Sequence, residues 1–274
     1  MNAKHNFKYF LASFCLAFSC LTVFLFLIIS SKPIINRQSY PNNEIIYLPD
    51  KNDNFTLLIG VSENKVSSPF KFYLVYFDFI GGKTPVIHLN SNLFLPNINT
   101  TLENSFKNNN FKDAIKNLEI LTQIAIDKYI CLNKASFEYI TEICGNISVN
   151  IPAEIYISSD LALKTGKQIL NGGLIFKILK TNDDNISSEI LSELINLIFP
   201  LLNSAKGERT FNFLVNNCVT DISYKDFQKV LRPIAFLGSL NSAPAFPLTL
   251  NGKNNAEYFY FNDFSLKSLK EIIY

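Results

Sequence analysis

Residues 70–79 read Phe-Lys-Phe-Tyr-Leu-Val-Tyr-Phe-Asp-Phe, an aromatic and β-branched run that predicts a β-strand. Earlier in the chain, Phe55–Gly60 reads Phe-Thr-Leu-Leu-Ile-Gly, which predicts a buried strand ended by glycine. After the aromatic run, Gly81 and Gly82 predict a turn into a further strand over Pro85–Leu89. Together these segments predict the beginning of a central sheet.

Helical patterns alternate with further strands along the rest of the chain. Asp113–Ile126 has apolar residues at helical spacing and precedes a predicted strand over Lys128–Leu132. Other predicted elements are a strand over Ile147–Ile151 and helices over Ser136–Cys144, Ile186–Leu202, Ser223–Leu231 and Phe264–Ile273. This alternation predicts an α/β layered domain with a central, mostly mixed sheet flanked by helices. Without repeats or an internal linker, we expect one domain over residues 54–274.

A long uncharged segment lies near the N-terminus. Tyr9–Ser31 contains no charged residue and is long enough to cross a hydrocarbon core of ~30 Å. Lys4 and Lys8 precede it, so the positive-inside rule places the N-terminus in the cytoplasm. We therefore predict a cytoplasmic tail over residues 1–8, a transmembrane anchor over 9–31, a stalk over 32–53 and an extracytoplasmic domain over 54–274.

Two other interpretations of the uncharged segment are weaker. A cleaved signal peptide has a shorter apolar region and a small-x-small cleavage site, whereas this run is longer and ends in Leu27–Pro33. A lipoprotein signal at Cys20 is disfavoured because bulky Phe18 precedes it. A single-pass protein of the cell membrane is the prediction, and later cleavage of the anchor stays open.

Composition and charge exclude some classes of function. The chain is 48% hydrophobic and 18% charged, which is typical of a folded protein rather than a disordered one. A net charge of +2 gives no basic field, so no nucleic-acid partner is predicted. The arginines are Arg37, Arg209 and Arg232 alone, so the sequence offers no arginine cluster for bidentate phosphate binding.

Isolated reactive residues do not define a site. His88 stands alone in a predicted apolar strand, which is more typical of a packed residue than of a catalyst. Cys131, Cys144 and Cys218 are an odd number of cysteines in the predicted exported part. A Cys131–Cys144 disulfide and three buried thiols are both open at this point.

Short motifs spread over residues 54–274 occur in a familiar order. Leu57–Glu63 resembles an "LLIGVDE" turn, and Leu118–Tyr129 resembles "VE-x-LTGI-x-IDYY". Phe137–Pro152 resembles "F-x-x-LVDALGGV-x-V-x-VP", Gly166–Gly172 resembles "G-x-Q-x-LNG", and Val219–Ser223 resembles a late "TDLS" helix cap. In this order the motifs resemble the LytR-CpsA-Psr (LCP) family of Gram-positive cell-envelope proteins.

The resemblance implies a fold and an activity. Proteins of this family are understood as phosphotransferases that move an anionic glycopolymer from a polyprenyl diphosphate carrier to peptidoglycan. Such a reaction needs several guanidinium groups, and usually an aspartate-bound divalent cation, around the diphosphate. The lipid chain needs a long apolar tunnel between the sheet and its helices.

This sequence departs from the family at the polar half of that site. Ser91 and Asn92 stand where the family's "SIPRD" motif has its arginine and aspartate. Lys180 keeps one positive charge near the corresponding loop, and Asp183 and Asp184 keep acidity there. These five residues are the candidates that the resemblance gives for the site. Because one lysine does not replace an arginine set, we predict a non-catalytic binder of polyprenyl-linked or cell-wall glycan ligands.

Two alternatives remain open from sequence. The first is a divergent phosphotransferase that uses Lys180 and the Asp183–Asp184 pair, and only this alternative implies Mg²⁺. The second is an extracellular protein-interaction domain unrelated to lipid. No other cofactor is predicted.

Overall fold

The computed structural model describes residues 47–107, 111–159, 161–181, 183–255 and 257–273. In chain order the strands are β1 (Phe55–Val61), β2 (Lys71–Phe77), β3 (Thr84–Leu89), β4 (Phe94–Leu95), β5 (Thr100–Thr101), β6 (Lys128–Leu132), β7 (Ile147–Ile151), β8 (Ile155–Ser158), β9 (Leu161–Leu163), β10 (Gly166–Leu170), β11 (Val219–Thr220), β12 (Ala245–Leu248), β13 (Gly252–Asn254) and β14 (Phe259–Phe261). The α-helices are α1 (Leu102–Phe106), α2 (Phe111–Thr122), α3 (Lys134–Cys144), α4 (Gly172–Leu179), α5 (Asp184–Ile198), α6 (Ala205–Asn217), α7 (Tyr224–Leu240) and α8 (Asp263–Ile273).

The central sheet has the strand order β11-β6-β1-β2-β3-β12. Strands β1, β2 and β3 are successive antiparallel neighbours, while β6 is parallel to β1 and β12 is parallel to β3. The sheet is therefore mixed, as predicted. Phe55 and Lys128 begin β1 and β6 at one end of the sheet, whereas Lys71 begins β2 at the opposite end. We call these the Phe55 end and the Lys71 end.

Both faces of the sheet are covered, which explains why every residue of β2 is buried. Alternate side chains of a strand point to opposite faces, so Phe72 and Leu74 lie on one face and Tyr73 and Val75 on the other. The first face packs against α1, α2 and α8, and the second packs against α3, α4 and α5. This three-layer arrangement confirms the predicted α/β architecture.

Most predicted elements are present, but three helices end elsewhere, one of them α5, which ends at Ile198 rather than at Leu202. The helix predicted over Asp113–Ile126 ends at Thr122, where Gln123 takes a left-handed φ of 58°. The helix predicted over Ser223–Leu231 is capped by Ser223 but continues through Pro233 to Leu240. Pro233, two residues after Leu231, favours an earlier end of this helix, because the residue before a proline is disfavoured in helical conformation. Burial of Pro233 and Ile234 against the core accompanies the continuation of the helix.

The N-terminal predictions fall mostly outside the described residues. The predicted tail, the anchor over Tyr9–Ser31 and most of the stalk belong to residues 1–46, which are not described. No helix within the described ranges is long and apolar enough to cross a membrane. The last stalk residues, 47–53, are described, and Tyr47 donates a hydrogen bond of 2.6 Å to Asp53 and places its ring 6.4 Å from that of Phe236 on α7.

The three cysteines of the described part are free thiols. Cys131 and Cys218 are buried and Cys144 is half-buried. Cys131 packs in the cluster on one face of the sheet and Cys218 in the cluster on the other. The structure thus shows buried or half-buried thiols and no Cys131–Cys144 bridge.

Candidate functional site

An apolar cavity of about 380 Å³ lies between the sheet and the helices α5, α6 and α7. Leu57 and Ile59 project into it from the same face of β1, because residues two apart on a strand share a face. Leu194 and Ile198 come from the same side of α5, because residues four apart on a helix lie one above the other. Further apolar lining residues are Phe77, Ile130, Leu132, Leu191, Ile195, Leu214, Ile222, Val230 and Ile234. A cavity with this lining fits a hydrocarbon chain.

Polar residues line this cavity only at the Phe55 end of the sheet. They are Asn52, Asp53, Asn54, Asp127, Lys128, Asp226 and Lys229. Lys128 and Asp226 form an ion pair at 2.9 Å, and hydrogen bonds from Lys128 and Ser223 lower the pKa of Asp226 to about 2. Asp127 accepts a hydrogen bond of 2.8 Å from the backbone N–H of Thr56. The mouth of the cavity is therefore polar, and much of its charge is already paired.

A second polar group of residues is buried at the Lys71 end, under the first turn of α5. The Lys71 Nζ atom donates to the backbone oxygen of Thr181 and to Ser187 Oγ, each at 2.9 Å. It also lies 3.3 Å from Asp184 Oδ1, and His88 Nε2 lies 3.3 Å from the same oxygen. Lys71, His88, Asp184 and Ser187, which we call the Lys71 cluster, thus join strands β2 and β3 to helix α5.

Burial determines the charge states within the Lys71 cluster. Burial lowers the pKa of Lys71, and the nearby carboxylate of Asp184 partly offsets this effect. Burial, together with the Lys71 charge, lowers the pKa of His88 to about 4 against an opposing effect of Asp184. At neutral pH the imidazole is therefore uncharged, and the ammonium of Lys71 and the carboxylate of Asp184 neutralise each other.

The five residues that the family resemblance suggested have different partners in the structure. Lys180 pairs with Glu63 at 2.5 Å and is half exposed, and it lines neither the apolar cavity nor the small cavity beside His88. Asp183 caps α5 by accepting from the N–H of Ile186.

Of the remaining three suggested residues, one belongs to the Lys71 cluster. Ser91 Oγ donates to the backbone oxygen of Phe70 at 2.6 Å, and Asn92 is exposed in a turn. Asp184 contacts Lys71 and also lines a cavity of about 90 Å³ together with His88.

Sequence reasoning missed Lys71 and treated His88 as a packed residue. A signal for Lys71 was present, because it is the one charged residue inside the run Phe70–Phe77. A lysine in a strand buried on both faces requires a partner. The sequence does not show that the partner is Asp184, which lies on a helix far along the chain.

The described residues do not fit a divalent cation. Within the described ranges no group of three or more His, Cys, Asp or Glu side chains is arranged to hold a metal. The carboxylate of Asp183 is used as a helix cap, and that of Asp184 already contacts an ammonium and an imidazole. A Mg²⁺ site needs free oxygen ligands in octahedral geometry, which this set does not provide.

Comparison with known proteins finds structural likeness only. No family model matches the chain, and no curated protein sequence matches it. A Eubacterium siraeum protein described as a transcription regulator is 20% identical with a TM-score of 0.74, covering 83% of this chain and 94% of that chain.

Two Bacillus subtilis proteins share the fold as well. TagV is 18% identical with a TM-score of 0.66, covering 80% of this chain and 95% of its own. TagT bound to LIIa-WTA is 17% identical with a TM-score of 0.63, covering 83% and 92%. Likeness at these identities concerns the fold alone. TagV and TagT are LCP-family proteins, so this chain has an LCP-like fold.

Proposed function

We propose that this protein binds the polyprenyl chain of a lipid-linked cell-wall glycopolymer and does not transfer the polymer. The observation that carries the proposal is the apolar cavity of about 380 Å³ between the sheet and helices α5 to α7. Its lining is a continuous set of aliphatic and aromatic side chains, and its polar residues are confined to one end. TagT, which has the same fold, is known in complex with the wall teichoic acid precursor LIIa-WTA, and this supports the choice of ligand class.

The Lys71 cluster supports a binding role rather than catalysis. Phosphoryl transfer depends on several preorganised cationic groups around the phosphates. In the Lys71 cluster the single ammonium is buried and already bonded to Thr181, Ser187 and Asp184. Arg209 and Arg232 lie on α6 and α7, and the charge of Arg232 acts on Tyr47 at the Phe55 end. The phosphotransferase alternative uses Lys180 together with Asp183 and Asp184, but the ion pair of Lys180 is with Glu63.

The proposal places the domain outside the cell membrane. The uncharged segment Tyr9–Ser31 is proposed as the anchor, with residues 1–8 in the cytoplasm. A carrier lipid with its tail in the bilayer is then within reach of the domain.

The test is a mass-spectrometric search for polyprenyl phosphates in the full chain purified from a Gram-positive host. Leu214→Trp should reduce the retained lipid by at least ~10-fold, because the indole fills space that a hydrocarbon chain would occupy. A loss of ~1.4 kcal/mol in binding free energy is enough for a tenfold reduction. Leu214 is half-buried where it lines the cavity, so the variant should accommodate the larger side chain and still fold. The matched control is Phe264→Trp on α8, whose side chain is 74% exposed.

Three outcomes separate the alternatives. Lipid retained by the wild type and by the control, and lost from Leu214→Trp, supports the binding role. A folded, monodisperse wild type without polyprenyl lipid contradicts it and favours a protein-interaction domain. Mg²⁺-dependent transfer of a glycopolymer to peptidoglycan would show that the protein is an enzyme.

A further inference from the structure

The mouth of the apolar cavity lies at one defined end of the domain. Asn52, Asn54, Asp127 and Lys128 flank it, and these residues precede or begin the strands β1 and β6 at the Phe55 end. At the opposite end, the face of the sheet is occupied by the Lys71 cluster and by fully buried Tyr73. A chain that enters the cavity therefore does so from the Phe55 end.

Exposed aliphatic side chains project from the same end. Ile80, in the turn between β2 and β3, is 51% exposed, and Leu240, at the end of α7, is 57% exposed. This turn and the end of α7 adjoin, because a Cβ atom on Gly82 would lie 3.8 Å from Leu240 Cδ1. Leu48 is 70% exposed and follows Tyr47, whose ring contacts Phe236 one turn before Leu240. Leu48, Ile80 and Leu240 form the aliphatic rim of the Phe55 end.

The described chain also begins at this end. Tyr47 is preceded by residues 32–46 and, before them, by the uncharged segment Tyr9–Ser31. A chain extends at most ~3.6 Å per residue, so residues 32–46 span no more than ~54 Å. If Tyr9–Ser31 crosses a bilayer, the aliphatic rim is held within that distance of the lipid surface.

The charged residues near the aliphatic rim do not favour a strongly anionic lipid surface. Near the aliphatic rim, Lys51 and Lys83 are accompanied by Asp50 and Asp78. With both signs present, contact with lipid depends on insertion of aliphatic side chains rather than on attraction to anionic headgroups.

We propose that the aliphatic rim, Leu48, Ile80 and Leu240, inserts into the bilayer surface, so that the apolar cavity opens directly toward the membrane. The role of this contact, which is to pass a lipid chain into the cavity without exposing it to water, rests on the proposed function. The contact itself does not depend on the proposed function, because it requires only a lipid surface and an anchored chain.

The absence of tryptophan from the sequence provides a clean reporter. Ile80→Trp in the full chain, placed in nanodiscs of phosphatidylcholine, gives a single indole at the aliphatic rim. Val66→Trp is the matched control, because Val66 is 81% exposed in the loop before β2 at the Lys71 end. Both positions are exposed, so both variants should keep the melting temperature of the wild type.

Emission is compared between ordinary and brominated phosphatidylcholine. Ile80→Trp should lose about half of its emission in brominated lipid, because an inserted side chain reaches the acyl boundary. Emission from Val66→Trp should not change. Quenching at Ile80 should persist in 1 M salt, where the Debye length is ~3 Å and attraction between exposed charges is screened.

Equal emission from Ile80→Trp in the two lipids, or equal quenching at Val66 and Ile80, overturns the proposal. Either result leaves the proposed function intact if polyprenyl lipid still co-purifies with the wild type. Conversely, quenching at Ile80 in a protein that retains no polyprenyl lipid keeps the bilayer contact and removes the proposed function.

Discussion

The two ends of one sheet face are built differently, although the same helix, α5, covers both. At the Phe55 end, Leu194 and Ile198 of α5 leave a cavity against β1 and β6. At the Lys71 end, the first turn of α5 closes over Lys71 with an ion pair and a hydrogen bond, and Asp184 Oδ1 lies 3.3 Å from His88 Nε2. The Lys71 end, which holds the buried charges, is filled, whereas the Phe55 end has an apolar cavity with a polar mouth. The apolar cavity and the Lys71 cluster therefore lie toward opposite ends of this sheet face.

The largest effect should come from removing the carboxylate of the Lys71 cluster. Asp184→Asn leaves the Lys71 ammonium buried without its counter-charge, so we expect the free energy of unfolding to fall by about 3–4 kcal/mol at pH 7. Lys71→Met should change it by no more than about 1 kcal/mol, because the buried charge disappears and Asp184 is 43% exposed to water. Urea denaturation of both variants measures the difference.

The pH dependence of the Asp184→Asn variant provides an internal check. Burial lowers the pKa of Lys71 in the folded state, so the unfolded chain binds a proton that the folded protein releases. Stability of the variant should then rise as the pH is raised from neutral toward the ordinary pKa of lysine, ~10.4. If Lys71→Met lowered the free energy of unfolding as much as Asp184→Asn does, the prediction would be contradicted. The ammonium of Lys71 would then stabilise the fold, rather than being only neutralised by Asp184.

A smaller effect should follow from the titration of His88. Its pKa is lowered to about 4, mainly by burial, so between pH 6.5 and about 4 the unfolded chain is protonated and the folded protein is not. Acid therefore favours unfolding in this window, and the free energy of unfolding should fall by roughly 2–3 kcal/mol as the pH decreases across it. Below about pH 4 both states are protonated and this loss stops.

His88→Gln is the matched control for that titration, because it keeps a polar side chain of similar reach and does not titrate. Unfolding free energies of wild type and variant, measured between pH 4 and 7, should diverge only through the His88 contribution. Parallel curves would show that the imidazole is as readily protonated in the folded protein as in the unfolded one.

The sequence was informative where the physics is local. Strands β1, β2 and β6 were predicted because apolar side chains dominate them. The pair β8 and β9 was missed because such short strands have too few residues for a period to show. Helix α4 was missed because it begins with two glycines and has only eight residues, too few for a helical period to show clearly.

The candidate site was less predictable because its contacts are long-range. Lys71 reaches Thr181 and Ser187 across separations of 110 and 116 residues. No local pattern encodes such a meeting. The resemblance placed Asp184 near the site but supplied Lys180 as its cation, whereas the structure pairs Lys180 with Glu63 on the surface.

The smallest effect compares two tyrosines of β2 that lie toward different ends and on opposite faces. The Tyr73 hydroxyl is buried beside Ser187 without a hydrogen bond of good geometry, so Tyr73→Phe should leave stability unchanged or raise it by less than about 1 kcal/mol. The Tyr76 hydroxyl accepts a hydrogen bond of 3.0 Å from Asn54, so Tyr76→Phe should cost about 1 kcal/mol. Thermal melts of the two variants measure this contrast. A loss of stability from Tyr73→Phe equal to that from Tyr76→Phe would mean that the Tyr73 hydroxyl forms a hydrogen bond in solution. The polar groups at the Lys71 end would then form a complete hydrogen-bonded network.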